Sequence, residues 1–129
     1  PGQFSESEMT KLFYRNQYFG IQNFGSCYLL GYILFLEWIA VHSGPHAVAT
    51  LSPQSRDKAS SFLRVHVEED KDHVEKAIEE LNRLAPNDRE IAVESFRMAA
   101  RQYEQILEDC VAASQGRVLS FERKRTAEA

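Results

Sequence analysis

A chain of 129 residues supports one small domain with one core. Its 43% hydrophobic and 26% charged residues are those of a soluble globular protein and exclude a disordered one. A net charge of −4 excludes nucleic acid as the main partner, because phosphate binding needs a basic field.

Before the elements are taken in order, the cysteines and the most apolar run set the compartment. Cys27 and Cys110 form no C-x-x-C pair. They are expected as buried free thiols in a reducing, cytoplasmic setting, with one disulfide as the alternative. The run Cys27–Val41 is only fifteen residues long and is interrupted by Glu37, whereas a membrane span needs ~20 largely apolar residues. No basic segment precedes it, so it is not a signal peptide. No membrane partner is expected. The chain opens Pro1-Gly2 without an initiator methionine, which fits a processed or excised piece.

Ser5-Glu-Ser-Glu8 has the spacing of a capping box. It predicts a first helix from about Glu6, with Met9, Leu12, Phe13 and Tyr18 on its inner side. Gly20, Gly25 and Gly31 follow in an aromatic-rich stretch, where they mark a kink, a break or a close backbone approach. Cys27–His42 is apolar on every side, the pattern of a central buried helix. Ser43-Gly44-Pro45 is expected to end or kink it, with His46–Leu51 as a short helical continuation. Leu51-Ser-Pro-Gln-Ser55 marks a turn.

A long helix is predicted from about Ser55 to Leu84, stopped by Ala85-Pro86. Asn87-Asp-Arg-Glu90 has another capping-box spacing. It opens a last helix to about Ser114, with Ala92, Phe96, Ala99, Tyr103, Ile106 and Cys110 as the buried stripe and Gly116 as its stop. Residues 1–117 form the predicted helical domain and 118–129 a polar tail. No strand pattern is present, so the fold class is all-α.

One stretch stands out against this frame. His66, Asp70 and His73 fall within an arc of roughly 60° on a helix. Phe62, Leu63, Ala77, Leu81 and Leu84 lie within about 60° of His66, whereas Glu68, Lys71, Asp72, Glu75, Lys76 and Glu79 lie opposite. Two imidazoles and a carboxylate are therefore expected to face the core, where a charge is costly unless paired or bound to a metal. Glu37 supplies a fourth buried donor, from a helix otherwise free of charge. Mixed imidazole and carboxylate ligands suit iron, manganese or zinc, and helical di-iron scaffolds use this donor mix. A structural network of ion pairs is the plainer alternative.

Glu68, Glu69 and Asp72 lie off the core face as solvated charges. His42 stands about 140° from Glu37, and His46 follows a Gly-Pro pair, so neither is a ligand candidate. Tyr28 and Tyr103 are candidates for substrate binding or for redox and hydrogen-bonding roles near a metal. Packing is the commoner use of a core aromatic.

The pattern Phe62-Leu-x-x-His66-x-x-x-Asp70-x-x-His73, preceded by Leu30-Gly31-Tyr32 and Leu36-Glu37, resembles the C-terminal half of the haem-oxygenase-like di-iron oxidases and oxygenases. The likeness covers about Leu29 to Leu84. It implies a haem-oxygenase-like helical bundle, represented by its C-terminal helices only, with Glu37, His66, Asp70 and His73 as ligands to Fe(2+), two ions in the complete site. It further implies an O₂-activating oxidoreductase acting on a small organic substrate such as an amino acid or an aliphatic acid. Family members draw a further Glu and His from an upstream helix. Here the region before Glu37 holds only Glu6 and Glu8 and no histidine, so a missing N-terminal segment or a second chain is expected to complete the site. A homodimer is expected. The competing expectations are a non-catalytic helical interaction module with a structural polar core, and a cofactor-free or haem-binding member of the same superfamily.

Overall fold

A computed structural model describes residues 7–50, 65 and 70–115. Among them the chain is all-α, with four helices and no strand. These are α1 (Glu8–Phe24), α2 (Ser26–Thr50), α3 (residues 70–83 of the described chain) and α4 (Pro86–Ser114).

The first helix begins at Glu8, two residues later than the spacing predicted. Ser7, not Ser5, is the N-cap: its hydroxyl accepts the Thr10 amide at 3.0 Å, satisfying a donor that the first turn leaves free. The inner side of α1 is also turned from expectation. Gln17 and Gly20 are buried, whereas Leu12 and Tyr18 are 48% and 69% exposed.

Gly25 ends α1 with φ +81°, a left-handed conformation that a side chain would strain. The chain then turns back on itself. Gly20 meets the Tyr28 ring and Phe13 meets Tyr32 at 5.2 Å, so α1 and α2 pack antiparallel. Asn16 Nδ2 donates to the Tyr28 hydroxyl at 2.7 Å, which fixes the register of the pair.

Gly31 lets α2 cross α4 at backbone contact. A Cβ there would overlap the Ala92 carbonyl. Around this crossing Phe35 packs edge-on against Phe96 (5.7 Å) and Tyr103 (5.6 Å). The core is centred here, on Leu34, Phe35, Ala92 and Ala99.

Several sequence expectations about α2 and α4 are corrected. The second helix is not a central buried helix: Tyr28, Gly31, Leu34, Phe35 and Gly44 are buried, but Ile33, Leu36 and Trp38 stand 36–39% exposed. By length and composition it is also apolar enough to cross a membrane, a property that the shorter run Cys27–Val41 concealed. Of the end or kink expected at Pro45 the end is not found; the helix runs on to Thr50, as the expected continuation from His46 has it, because a proline costs the ladder one donor and the flanking turns remain bonded. In α4, Pro86 rather than Asn87 opens the helix, with no side-chain cap. Proline suits that first position because its missing N–H would be unpaired anyway. Ser95 joins the buried stripe, and Cys110 leaves it. Cys27 and Cys110 are both free, yet neither is buried: Cys27 is half-buried and Cys110 exposed. Gly116 and the tail 118–129 lie outside the described residues, where Gln115 closes α4.

Between α3 and α4 the chain turns in two residues, and Arg89 ties the turn. Its guanidinium donates to the carbonyls of Leu81 (3.1 Å), Asn82 (2.8 Å) and Leu84 (3.2 Å). Leu81 and Asn82 belong to the last turn of α3, whose carbonyls have no partner within their own helix, and Leu84 to the connection. The described part of α3 thus hangs from the first turn of α4.

Candidate metal centre

Glu37, Asp70 and His73 come together from two helices. His73 Nδ1 stands 3.7 Å from Glu37 Oε1 on α2 and 3.7 Å from Asp70 Oδ1 one turn back on α3. The sequence spacing placed Asp70 and His73 on one side of a helix, and the fold brings that side to Glu37. His66, Glu68 and Glu69 lie outside the described residues.

The three are not equally buried. The side chains of Glu37 and Asp70 are 23% and 13% exposed, whereas His73 is 51% exposed. The expectation that His73 points into the core is corrected: Val74, beside it, is the buried residue of that turn, and His73 stands at the edge. The opposite side behaves as read, with Lys71, Asp72, Glu75, Lys76 and Glu79 all exposed.

Burial has an electrostatic consequence at Glu37. Leu34, one turn back, is buried, and the apolar surroundings of α2 withdraw water from the carboxylate. Desolvation raises the Glu37 pKa above its ordinary value; His73 pulls it down and the nearby Asp70 charge pushes it up. A half-buried carboxylate beside a second carboxylate holds its proton more readily than a solvated one.

The arrangement is an open edge. Among the described residues, no group of three His, Cys, Asp or Glu side chains is gathered closely enough to hold a metal ion. Tetrahedral donors sharing one ion at ~2.0–2.2 Å stand about 3.3–3.6 Å apart, slightly closer than the two 3.7 Å contacts of His73. In donor chemistry, one imidazole and two carboxylates fit a borderline divalent cation such as iron, manganese or zinc.

The remaining candidates serve packing. Tyr28 is buried, stacked on Phe24 at 5.8 Å and bonded to Asn16. Tyr103 fills the space between Phe13 and Phe35. His42 is exposed; its ring stacks on Trp38 at 4.3 Å and Nδ1 lies 2.8 Å from the Trp38 carbonyl. His46 is exposed too. Sequence reading missed Arg89, which holds the end of the helix bearing Asp70 and His73. No spacing signals a guanidinium that reaches back to three carbonyls.

No family model, no curated protein and no solved structure matches the chain.

Proposed function

We propose that Glu37, Asp70 and His73, joined by the His66 that the sequence pattern adds, form one edge of a non-haem iron centre, with two Fe(2+) ions in the complete site. The centre serves an O₂-activating oxidase or oxygenase of a small organic substrate such as an amino acid or an aliphatic acid. The observation that carries this reading is the meeting of Glu37 on α2 with Asp70 and His73 on α3. The choice of iron and O₂ rests on the resemblance in sequence pattern.

Bound iron supplies the redox chemistry. The chain's own contribution is positional. Leu34, buried one turn before Glu37, limits water on that side of the carboxylate, whereas His73 stays half open to solvent. Asp70, the least exposed of the three, is fixed on the same helix as His73 at the i, i+3 spacing that keeps both on one side. Arg89 anchors the far end of that helix.

A second reading is favoured by the half-exposure of His73 and by its place 3.7 Å from each of the two carboxylates, which it bridges across α2 and α3. In it the trio is a structural network within a helical interaction module. Anaerobic ferrous titration of the whole chain, followed by O₂, separates the two. The iron reading expects saturable ferrous binding and iron-dependent O₂ uptake. Iron below one ion per chain, with O₂ uptake indifferent to iron, leaves the structural network as the better account. An intense Soret band on adding haem points to the haem-binding alternative instead.

A further inference from the structure

Among the described residues, the second helix meets its neighbours on three sides and leaves a fourth partly open to solvent. Gly31 and Phe35 face α4, Tyr28 and Tyr32 face α1, and Glu37 faces α3. At ~100° per residue, Leu29, Ile33, Leu36 and Ala40 fall on the remaining side. Ile33 and Leu36 are 39% and 36% exposed. The spacing i, i+4, i+7, i+11 is that of a helix–helix seam. Serine 26 to Leu36 contains no charged residue.

The first helix extends this surface. Asn16 reaches Tyr28, so its side of α1 turns toward α2. Leu12 and Phe19, at i−4 and i+3 from Asn16, stand on that side and are 48% and 57% exposed. Phe19 is joined to the hairpin through Phe24 at 6.2 Å.

We propose that this face is the interface between two copies of the chain, related by a two-fold axis that passes between Ile33 and Leu36 of antiparallel α2 helices. Three arguments select a second copy. First, the stripe is self-complementary about that axis: Ile33 meets Leu36 at the centre, and toward the ends Leu29 meets the small Ala40. Second, the stripe carries no charge, so self-pairing brings no like charges together, whereas an acidic or basic partner would find no counter-charge in it. Third, the area is sufficient. Four exposed large side chains leave on the order of 400 Å² of apolar surface open. At the ~60% apolar share of protein interfaces, this corresponds to roughly 700 Å² per partner, close to the ~800 Å² of a stable pair. A bilayer is the less favoured cover, because it would hold the Glu37 carboxylate at the middle of α2 in hydrocarbon.

The proposal stands apart from the iron reading and does not need it. Ile33 and Leu36 sit one turn and one residue before Glu37, so the pairing would shield the outer flank of that carboxylate whatever it binds.

Sedimentation equilibrium of the whole chain over about 1 to 100 µM, a range that brackets ordinary homodimer affinities, tests it. The expected result is a species of twice the chain mass, with dissociation at least about tenfold stronger in Ile33→Glu and in Leu36→Glu. Val111→Glu, at a more exposed apolar residue of α4, should leave the pair unchanged. Where a glutamate variant loses helicity by circular dichroism, Ile33→Ala reads the same face with a milder change. A monomer throughout, a dimer indifferent to every α2 substitution, or equal weakening by Val111→Glu overturns the proposal. So does a monomer that floats with phosphatidylcholine vesicles.

Discussion

His73 and Glu37 are neighbours with opposite solvent exposure, and the difference decides what each substitution should do. His73 is half in water and makes two long ion-pair contacts, which are worth little to stability at such exposure. His73→Ala should therefore change folding stability by less than about 1 kcal/mol, measured by urea denaturation. If His73 is a ligand, the same variant should weaken Fe(2+) or Co(2+) affinity at least about tenfold, or ~1.4 kcal/mol. Glu37 carries the opposite balance. Its folded pKa is raised above the ordinary 4.5, so between the two values the folded state holds more protons than the unfolded one. Stability then falls as pH rises through that window, and the loss persists above it. Relative to wild type, Glu37→Gln should gain stability as pH rises past 4.5 and should lose metal affinity. Parallel pH–stability curves for the two proteins would show that burial does not act on this carboxylate.

At the scale of elements, two contacts hold the helices that bear the site. Any side chain at Gly31 would overlap the Ala92 carbonyl, and backbone cannot yield as a flexible side chain does. Gly31→Ala should cost about 2 kcal/mol or more in denaturation, despite the better helix propensity of alanine. Arg89→Ala removes three bonds to the end of α3 and should cost about 1–3 kcal/mol. Hydrogen exchange should show the loosening first in α3. A uniform response over all four helices would contradict the clamp.

These elements also show why the fold was legible only in part. Helix existence follows from composition and periodicity, and α1, α2 and α4 lie within a few residues of expectation. Which side each helix buries depends on its neighbours. The apolar surround of α2 suggested a central helix, but α1, α3 and α4 cover three sides of it. Ser7 took the cap from Ser5, and Pro86 took the start of α4 from Asn87, because helix ends are decided by local bonds of about 1 kcal/mol that several residues can make. At the site, the i, i+3 spacing of Asp70 and His73 was readable because it is a local property. The convergence with Glu37 was expected from the donor types and is formed by packing. The exposure of His73 was not readable, since Val74, its neighbour in sequence, takes the buried position.

At the scale of the whole molecule, an open donor edge and a partly exposed apolar face lie side by side on α2 among the described residues. The edge gathers one imidazole and two carboxylates without closing around an ion, and the face continues from Glu37 through Leu36 and Ile33. Both features belong to a helix that is apolar on all sides and covered on three. The account's central claim is that the polar edge is a metal-binding surface. Anaerobic isothermal titration of Fe(2+) into the chain, beside Glu37→Ala and His73→Ala with helicity checked by circular dichroism, tests that claim most directly. The account predicts saturable binding that each variant weakens at least about tenfold. Absence of binding, or binding that both variants leave unchanged, would contradict it.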